Sequence, residues 1–439
     1  MRDRPIPAAG QWLLALAAAV LLLAGAAALG PDAAQAPVLA RRKAPWQQAS
    51  AAPVTLAAAT DLHYLDPSLT DGGLFYRLAT RNADGKVMDE ISALTDAFAD
   101  EIIARHPAAL LLTGDLTFNG ALASHRGLAA RLRRITAAGV PVFVLPGNHD
   151  LDNANAFCYV GGNALAVPAL RRDQFAALYA GFGYAQASSR DFASLSYTAE
   201  LAPGLRLLAI DVNGTATPGA LAPATLRWAE RQLRQAQADG VRVLAASHQN
   251  LLAHSFLRDG YLIAGGAPLL ALYEHCGVAV NLSGHLHLQH IGRSAGGLTE
   301  ILTSSLAIPP NQYGLLRIGG GALRYHTVPV DVAGWAAARG STDPNLLNFA
   351  AWAHGFFWTS SWQQARRELG GGAADGDRLA AYFADLNCAY FAGRPDTVTP
   401  DPAMAARWAA RSLRRGAYLA AIAADRTDQT QAVIAFPAA

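Results

Sequence analysis

Five short stretches of this chain carry residues able to bind metal or move protons, and each stands where an apolar run ends. Asp61 and His63 close "VTLAAATDLH", Asp115 closes "AALLLTGD", and Asn148 and His149 close "VFVLPGNHD". His248 closes "VRVLAASH", and His285 and His287 close "VAVNLSGHLH". Taken singly each is weak. Pro, Gly, Asn and Asp are ordinary turn residues, and a lone His on a strand is more often a satisfied core residue. Turn chemistry does not explain five such coincidences, which use five of the chain's twelve histidines. Carboxylate and imidazole together suit Zn, Fe or Mn and do not resemble a Ca or Mg cage.

The elements that position these residues are legible as a pattern. The runs "VTLAAAT", "AALLLTG", "VPVFVLPG", "LRLLAIDV", "VRVLAASH" and "VAVNLSGH" alternate with amphipathic segments at residues 89–105, 124–138 and 223–238. Strands alternating with helices predict an α/β layered fold. Ligands in open α/β sheets bind outside the carboxyl ends of the strands, so the five clusters should face one place. After "GHLHLQH" the stretches "LTEILTSS", "YGLLRIG" and "ALRYHTVPV" read as adjacent strands completing a sheet. From about residue 345 the text turns helical, aromatic and Ala-rich, a C-terminal helical appendage. The expected divisions are a leader or anchor at 1–30, a linker at 31–53, a main α/β domain at 54–335 and a helical region at 336–439.

Composition narrows the class. With 52% apolar and 15% charged residues, most of the 439-residue chain is globular. The net charge of +2 offers no nucleic-acid footprint, and no nucleic-acid partner is expected. Lys occurs only at Lys43 and Lys86. Residues 12–29 carry no charge and follow Arg2 and Arg4. That length lies between a secretory core of ~7–15 residues and a spanning helix of ~17–25. Export is expected, either into the periplasm or medium or with the domain anchored outside the cytoplasmic membrane through residues 12–29. Arg41, Arg42 and Lys43 beyond the run leave its orientation open. The first cysteine is Cys158, which excludes a lipid-modified N-terminal Cys; Cys276 and Cys388 complete an odd set of three.

In order, Asp-x-His, Gly-Asp, Gly-Asn-His-Asp, His and Gly-His-x-His resemble the signature of the calcineurin-like metallophosphoesterase superfamily, over about residues 54–330. The resemblance implies an α/β fold with two facing mixed β-sheets flanked by helices, and two divalent transition metal ions (Mn, Fe or Zn) at the strand ends. Carried over, Asp61, His63, Asp115 and His287 would bind one metal. Asp115 would bridge to a second held by Asn148, His248 and His285, and His149 would bind neither and face the substrate. Such chemistry fits the residue types. Two cations roughly 3.5–4 Å apart can clamp a small phosphate-ester substrate and activate a bridging hydroxide, offsetting the negative charge that repels attack. A protonated His149 would then donate to the leaving alkoxide.

Departures from relatives narrow the subclass. Protein Ser/Thr phosphatases of the superfamily carry Gly-Asp-x-x-Asp-Arg-Gly and Gly-Asn-His-Glu, where this chain has "GDLTFNG" and "GNHD". Purple acid phosphatases place a Tyr ligand where Phe118 stands. The pattern is closer to bacterial enzymes similar to cyclic-nucleotide phosphodiesterases, which does not fix the substrate. Long segments follow His63, His149 and His248, and loops of such length are uncommon unless functional. They make Tyr64, Tyr76, Arg171 and Arg172 candidates for specificity, while His254 on the third segment reads either as support behind the site or as polar surface. Three readings follow: a phosphomonoesterase or phosphodiesterase, a phospholipid or sphingolipid phosphodiesterase whose "FAAWAHGFFWTSSW" faces lipid, and a non-catalytic metal-dependent binding protein.

Overall fold

The run "VTLAAA" forms β1 (Val54–Ala59) although alanine is a weak strand former. Its Leu56 and Ala57 are fully buried, so packing decides the conformation. The structure, a computed structural model, describes residues 53–81, 84–255, 260–370 and 375–436. The expected leader or anchor at 1–30 and the linker before Pro53 lie outside these residues. Among the described residues no helix is long and apolar enough to cross a membrane.

The remaining strands are, in chain order, β2 (Ala109–Thr113), β3 (Val142–Leu145), β4 (Phe157–Val160), β5 (Asn163–Ala166), β6 (Ser189–Arg190), β7 (Tyr197–Ala202) and β8 (Leu205–Ile210). There follow β9 (Arg242–Ser247), β10 (Val280–Ser283), β11 (His290–Arg293), β12 (Thr299–Leu302), β13 (Gln312–Gly319), β14 (Ala322–Pro329) and β15 (Gln431–Ala435). They make two mixed sheets, ordered β15-β14-β13-β1-β2-β3 and β11-β12-β10-β9-β8-β7-β6, with β4-β5 as a separate hairpin. In the first sheet β1, β2 and β3 run parallel; in the second, β8, β9, β10 and β12 do. Parallel neighbours need crossover connections; the helices Ile91–Arg105, Leu122–Ala137, Pro223–Asp239 and Ala267–Cys276 supply four of them, and between β10 and β12 the chain passes through β11. The sheets face one another. One core cluster joins Leu56, Leu111 and Val144 of the first to Tyr197, Leu207 and Leu244 of the second. Across it the Tyr197 hydroxyl donates to the Val144 carbonyl at 3.0 Å.

Two expectations are corrected. "LTEILTSS", "YGLLRIG" and "ALRYHTVPV" do not complete one sheet: the first is β12 beside β10, while β13 and β14 sit beside β1 in the opposite sheet. Each run is apolar enough for either sheet, and only the course of the chain between Leu302 and Gln312 divides them. The expected helical region at 336–439 is helical as far as Ala424 but ends in a strand. That strand, β15, pairs antiparallel with β14 through Leu323↔Ile434 and so returns to the first sheet.

The helical region packs on the second sheet's side of the α/β domain through its own core. Leu379, Phe383, Leu386 and Tyr390 recur along Gly376–Phe391 at the three- and four-residue spacing of one helix face. They meet Trp408, Leu302 of β12 and, from the connection between β10 and β11, Leu286 and Leu288.

Candidate metal centre

The parallel strands β1, β2, β3, β9 and β10 end at one edge of the two sheets, and every sequence-predicted ligand lies just beyond one of these ends. Two groups of side chains converge there. Ligand atoms of Asp61, His63, Asp115 and His287 lie within 4.8 Å of one another, as do those of Asp115, His248 and His285. Asp115 belongs to both. Asn148 joins the second group, its Oδ1 3.1 Å from His248 Nε2.

Local backbone strain accompanies the convergence. Asp61, His63, Asp115, His285 and His287 all adopt left-handed φ between 45° and 74°. Asp and His tolerate that region better than most residues, yet each instance costs free energy that the surrounding structure must offset. The offset is visible in hydrogen bonds. The amide of Asp61 donates to Gly114 O at 2.9 Å and that of His63 to Asp115 O at 3.0 Å, lacing the first two turns together. The His285 amide donates to Asp61 Oδ2 at 3.0 Å, joining the two sheets' ligands directly. Asp150, fully buried, accepts from the amides of Gly147, Leu116 and Thr117 at 2.8–3.0 Å. This carboxylate ties the turn after Asp115 to the turn carrying Asn148. Gly147 is obligatory, because a Cβ there would collide with Asp115.

Hydrogen bonds also fix which ring nitrogen faces the centre. His248 Nδ1–H donates to the Thr113 carbonyl at 2.9 Å, leaving Nε2 toward Asp115 Oδ1 at 3.4 Å. His285 Nε2–H donates to the Gly260 carbonyl at 2.9 Å, leaving Nδ1 as the available lone pair. His149 Nδ1–H donates to the Phe118 carbonyl at 2.9 Å, and its Nε2 stands 3.9 Å from Asp115 Oδ2. Its own amide donates to Asp115 Oδ1 at 2.8 Å. The ring of His149 is 38% exposed, unlike those of His63 and His248, which are buried.

The electrostatics are those of a cation site. Burial alone would raise the carboxyls of Asp61 and Asp115; the neighbouring imidazoles outweigh it, holding Asp61 low and Asp115 well below the usual range. Burial and the Lys86 ammonium depress His63, and burial and the charge of His248 push His285 down to about 4. His248 goes the other way: burial lowers it, but Asp115 prevails and raises it to about 9. Two features call for a cation. Asp61 Oδ1 is buried without a hydrogen-bond partner, an expensive state for a carboxylate oxygen. His63 Nε2 and His287 Nε2 face each other at 3.1 Å. The buried Asp/His cluster therefore fits a dinuclear metal site.

The specificity candidates are placed elsewhere. Tyr64 is buried with its hydroxyl on Asp66 and Arg131, and Tyr76 is buried against Tyr159. Arg171 pairs with Asp173, and Arg172 donates to the Ala193 carbonyl. All four are held in structural contacts. His254 is buried between Glu300 and His290, at 3.1 and 2.9 Å. The role of the Phe118 carbonyl was not foreseeable, since a backbone group carries no sequence signal. The three cysteines are unpaired.

Comparison with known proteins agrees with this centre. Residues 54–289 match the family model described as calcineurin-like phosphoesterase, and residues 331–427 match that of the C-terminal domain of cyclic nucleotide phosphodiesterase. No curated protein matches the chain. Among solved structures, a dimetal phosphatase from Danio rerio is similar at 15% identity and TM-score 0.46, covering 62% of this chain and 95% of that one. A purple acid phosphatase from yellow lupin seeds follows at 14% identity and TM-score 0.39, covering 64% and 52%. The first family match spans more than half of the sequence and takes in every residue of both ligand groups. The chain thus belongs to the calcineurin-like phosphoesterases and is a metal-dependent phosphoric ester hydrolase.

Proposed function

We propose that this centre hydrolyses small phosphate esters, phosphodiesters such as cyclic nucleotides before monoesters. The observation that carries the reading is Asp115, whose carboxylate is shared between the two ligand groups. Asp61, His63, Asp115 and His287 would hold one ion and Asp115, Asn148, His248 and His285 the other, with Zn, Fe or Mn suited to that donor set. Such a pair of ions supplies Lewis acidity to the phosphoryl group and an activated water. The protein's own work is positional. The Phe118 carbonyl aims His149 Nε2 outward, where it can hand a proton to the departing oxygen. Preference for diesters rests on the match of residues 331–427 to the C-terminal domain of cyclic nucleotide phosphodiesterase.

Support for a lipid substrate is weaker. In the helix Phe349–Leu369, Phe349 and Phe357 are buried and Trp358 donates its ring N–H to Asp385, so the aromatic stretch packs as core. A non-catalytic reading is disfavoured by a complete ligand set together with His149. The uncharged run at residues 12–29 supports action outside the cytoplasm, and a reporter fused to residues 1–53 that stays active in the cytoplasm would overturn it. The function itself is tested by a panel of mono-, di- and cyclic phosphates with Mn, Zn and Fe. Hydrolysis of none of them by metal-loaded protein refutes the proposal, and monoester turnover alone refutes the diester preference.

A further inference from the structure

Behind the ligand turns, four side chains that can carry charge stand in line. His254 Nε2 lies 3.1 Å from Glu300 Oε2, its Nδ1 lies 2.9 Å from His290 Nδ1, and His290 Nε2 lies 3.1 Å from Asp425 Oδ2. Glu300 and His254 are fully buried; the side chains of His290 and Asp425 are 17% and 20% exposed. Each comes from a different segment. His254 belongs to the connection after His248, His290 opens β11, Glu300 lies in β12, and Asp425 ends the helix Leu413–Ala424.

Counting protons fixes the charge of this line. Glu300 accepts from the amides of Leu251 and Leu252 at 3.0 and 2.6 Å and from the Asn281 side chain at 2.8 Å. Asp425 accepts from Gln429 Nε2 at 3.0 Å. Burial would raise both carboxyls, but the facing histidines and these donors hold both low. An ionised carboxylate only accepts, so both Nε2 atoms are N–H donors. The two Nδ1 atoms then need one hydrogen between them, and the ring that supplies it while keeping its Nε2–H is an imidazolium. One positive charge thus lies between two carboxylates, with every bond of the line charge-assisted.

One end of the line reaches the second ligand group. The two amides on Glu300 belong to the turn just past His248. Asn250 in that turn donates its side-chain amide to Gly284 O at 3.0 Å, beside His285, and its backbone amide to Tyr261 O at 3.2 Å. The carbonyl before Tyr261, Gly260 O, is the one that orients the His285 ring. The other end belongs to the C-terminal region, which grips the same segments twice more. The Tyr390 hydroxyl donates to His254 O at 3.0 Å, and the Ile291 amide donates to Gln429 Oε1 at 3.0 Å.

We propose that the charge shared by His254 and His290 latches the C-terminal region, through Asp425, to the turns that carry His248 and His285, an inference that rests on the dinuclear reading of this centre. Glu300, His254, His290 and Asp425 are then positioning residues for the second ion. They touch neither ion nor substrate. Groups that orient metal ligands from behind typically contribute about 10–100-fold to metal affinity.

Zn, supplied to the full chain at a series of chelator-buffered concentrations and counted by elemental analysis, is the direct probe. Asp425→Asn keeps the shape and removes the charge, and should weaken the second ion on the order of 10-fold while the first holds within about threefold. Asp425→Glu keeps the charge and should recover most of the loss. A metal-free measurement reads the line itself. In chelated protein carrying 15N-histidine, a coupling across the Nδ1–H···Nδ1 bond should join one pair of rings, assigned by its disappearance in His290→Gln. Absence of that coupling overturns the latch. So does unchanged binding of the second ion in Asp425→Asn, or equal weakening of both ions. Equal weakening in the Asn and Glu variants with lowered melting temperature does so too, by reducing Asp425 to a structural contact. Fewer than two ions in the unaltered protein refutes the dinuclear centre and the latch with it, whereas two ions with an indifferent Asp425→Asn refute the latch alone.

Discussion

His125 should make this protein acid-sensitive by an amount the structure sets. The ring is fully buried, its Nε2–H donating to the Asp150 carbonyl at 2.9 Å and its Nδ1 accepting from the Tyr179 hydroxyl at 2.9 Å. The second bond requires the neutral ring, because a protonated Nδ1 cannot accept, and burial pushes the pKa down to about 3 from 6.5. The sign follows from proton uptake. Below pH 6.5 the unfolded chain takes a proton at this position, while the folded chain refuses it until about pH 3, so stability falls as pH falls. At pH 4.5 the loss is roughly two pKa units, or about 2.7 kcal/mol, and at pH 8 it is nil. His125→Gln removes the titration but keeps a donor and an acceptor. Urea unfolding followed by tryptophan fluorescence, with chelator present throughout, gives the stability of both proteins at the two pH values. The destabilisation caused by the substitution should shrink by about 2.7 kcal/mol between pH 8 and pH 4.5, other groups cancelling in the difference. Equal destabilisation at both values would falsify the claim that His125 is held neutral.

Asp115→Asn should be the most damaging ligand change, reducing metal content at both positions together, as elemental analysis of purified protein would show; retention of one full equivalent would mean that the carboxylate is not shared. Loading apo protein with Zn at pH 7 should release protons in weakly buffered indicator solution, one of them from His248, which is raised to about 9 and must lose its proton to coordinate. His248→Asn should lower that release by about one proton per chain. Leu286→Ala should cost about 2–5 kcal/mol in unfolding free energy and weaken metal retention, since Leu286 is buried in the helical core while His285 and His287 beside it face the centre. Full stability with unaltered metal affinity would show that the helical core does not brace these ligands.

The ligand set was legible because strand ends are where apolar runs stop, and Asp61, Asp115, Asn148 and His248 interrupt such runs abruptly. His285 and His287 were visible for the same reason, but the role of Leu286 and Leu288 was not. Their alternation reads as an ordinary strand, and nothing local says that a separate layer of helices receives them. Sheet membership of β12 and β13 depends on pairing between distant strands, which periodicity does not encode. The left-handed backbone at five ligand positions was equally hidden, since Asp and His are only mildly enriched there. Tyr64, Tyr76, Arg171 and Arg172 stand out because long connections often spend large side chains on a ligand, but each also has a protein partner that no sequence pattern announces: Asp66 and Arg131 for Tyr64, Tyr159 for Tyr76, Asp173 for Arg171 and the Ala193 carbonyl for Arg172.

The strand β15 has a consequence for how the molecule is made. Its partner β14 ends at Pro329, and β15 begins at Gln431, so the helices between must be synthesised before the sheet gains its outer strand. Until then β14 presents a row of unpaired amides and carbonyls, the template on which chains pair with one another. Closing a connection of this length costs only slowly more entropy than a short one, so the delay is chiefly one of time. A nascent chain thus passes through an interval in which its catalytic layers can form while one flank stays adhesive. Removing residues 431–435 would prolong that interval indefinitely, and should be felt as aggregation before it is felt as lost catalysis.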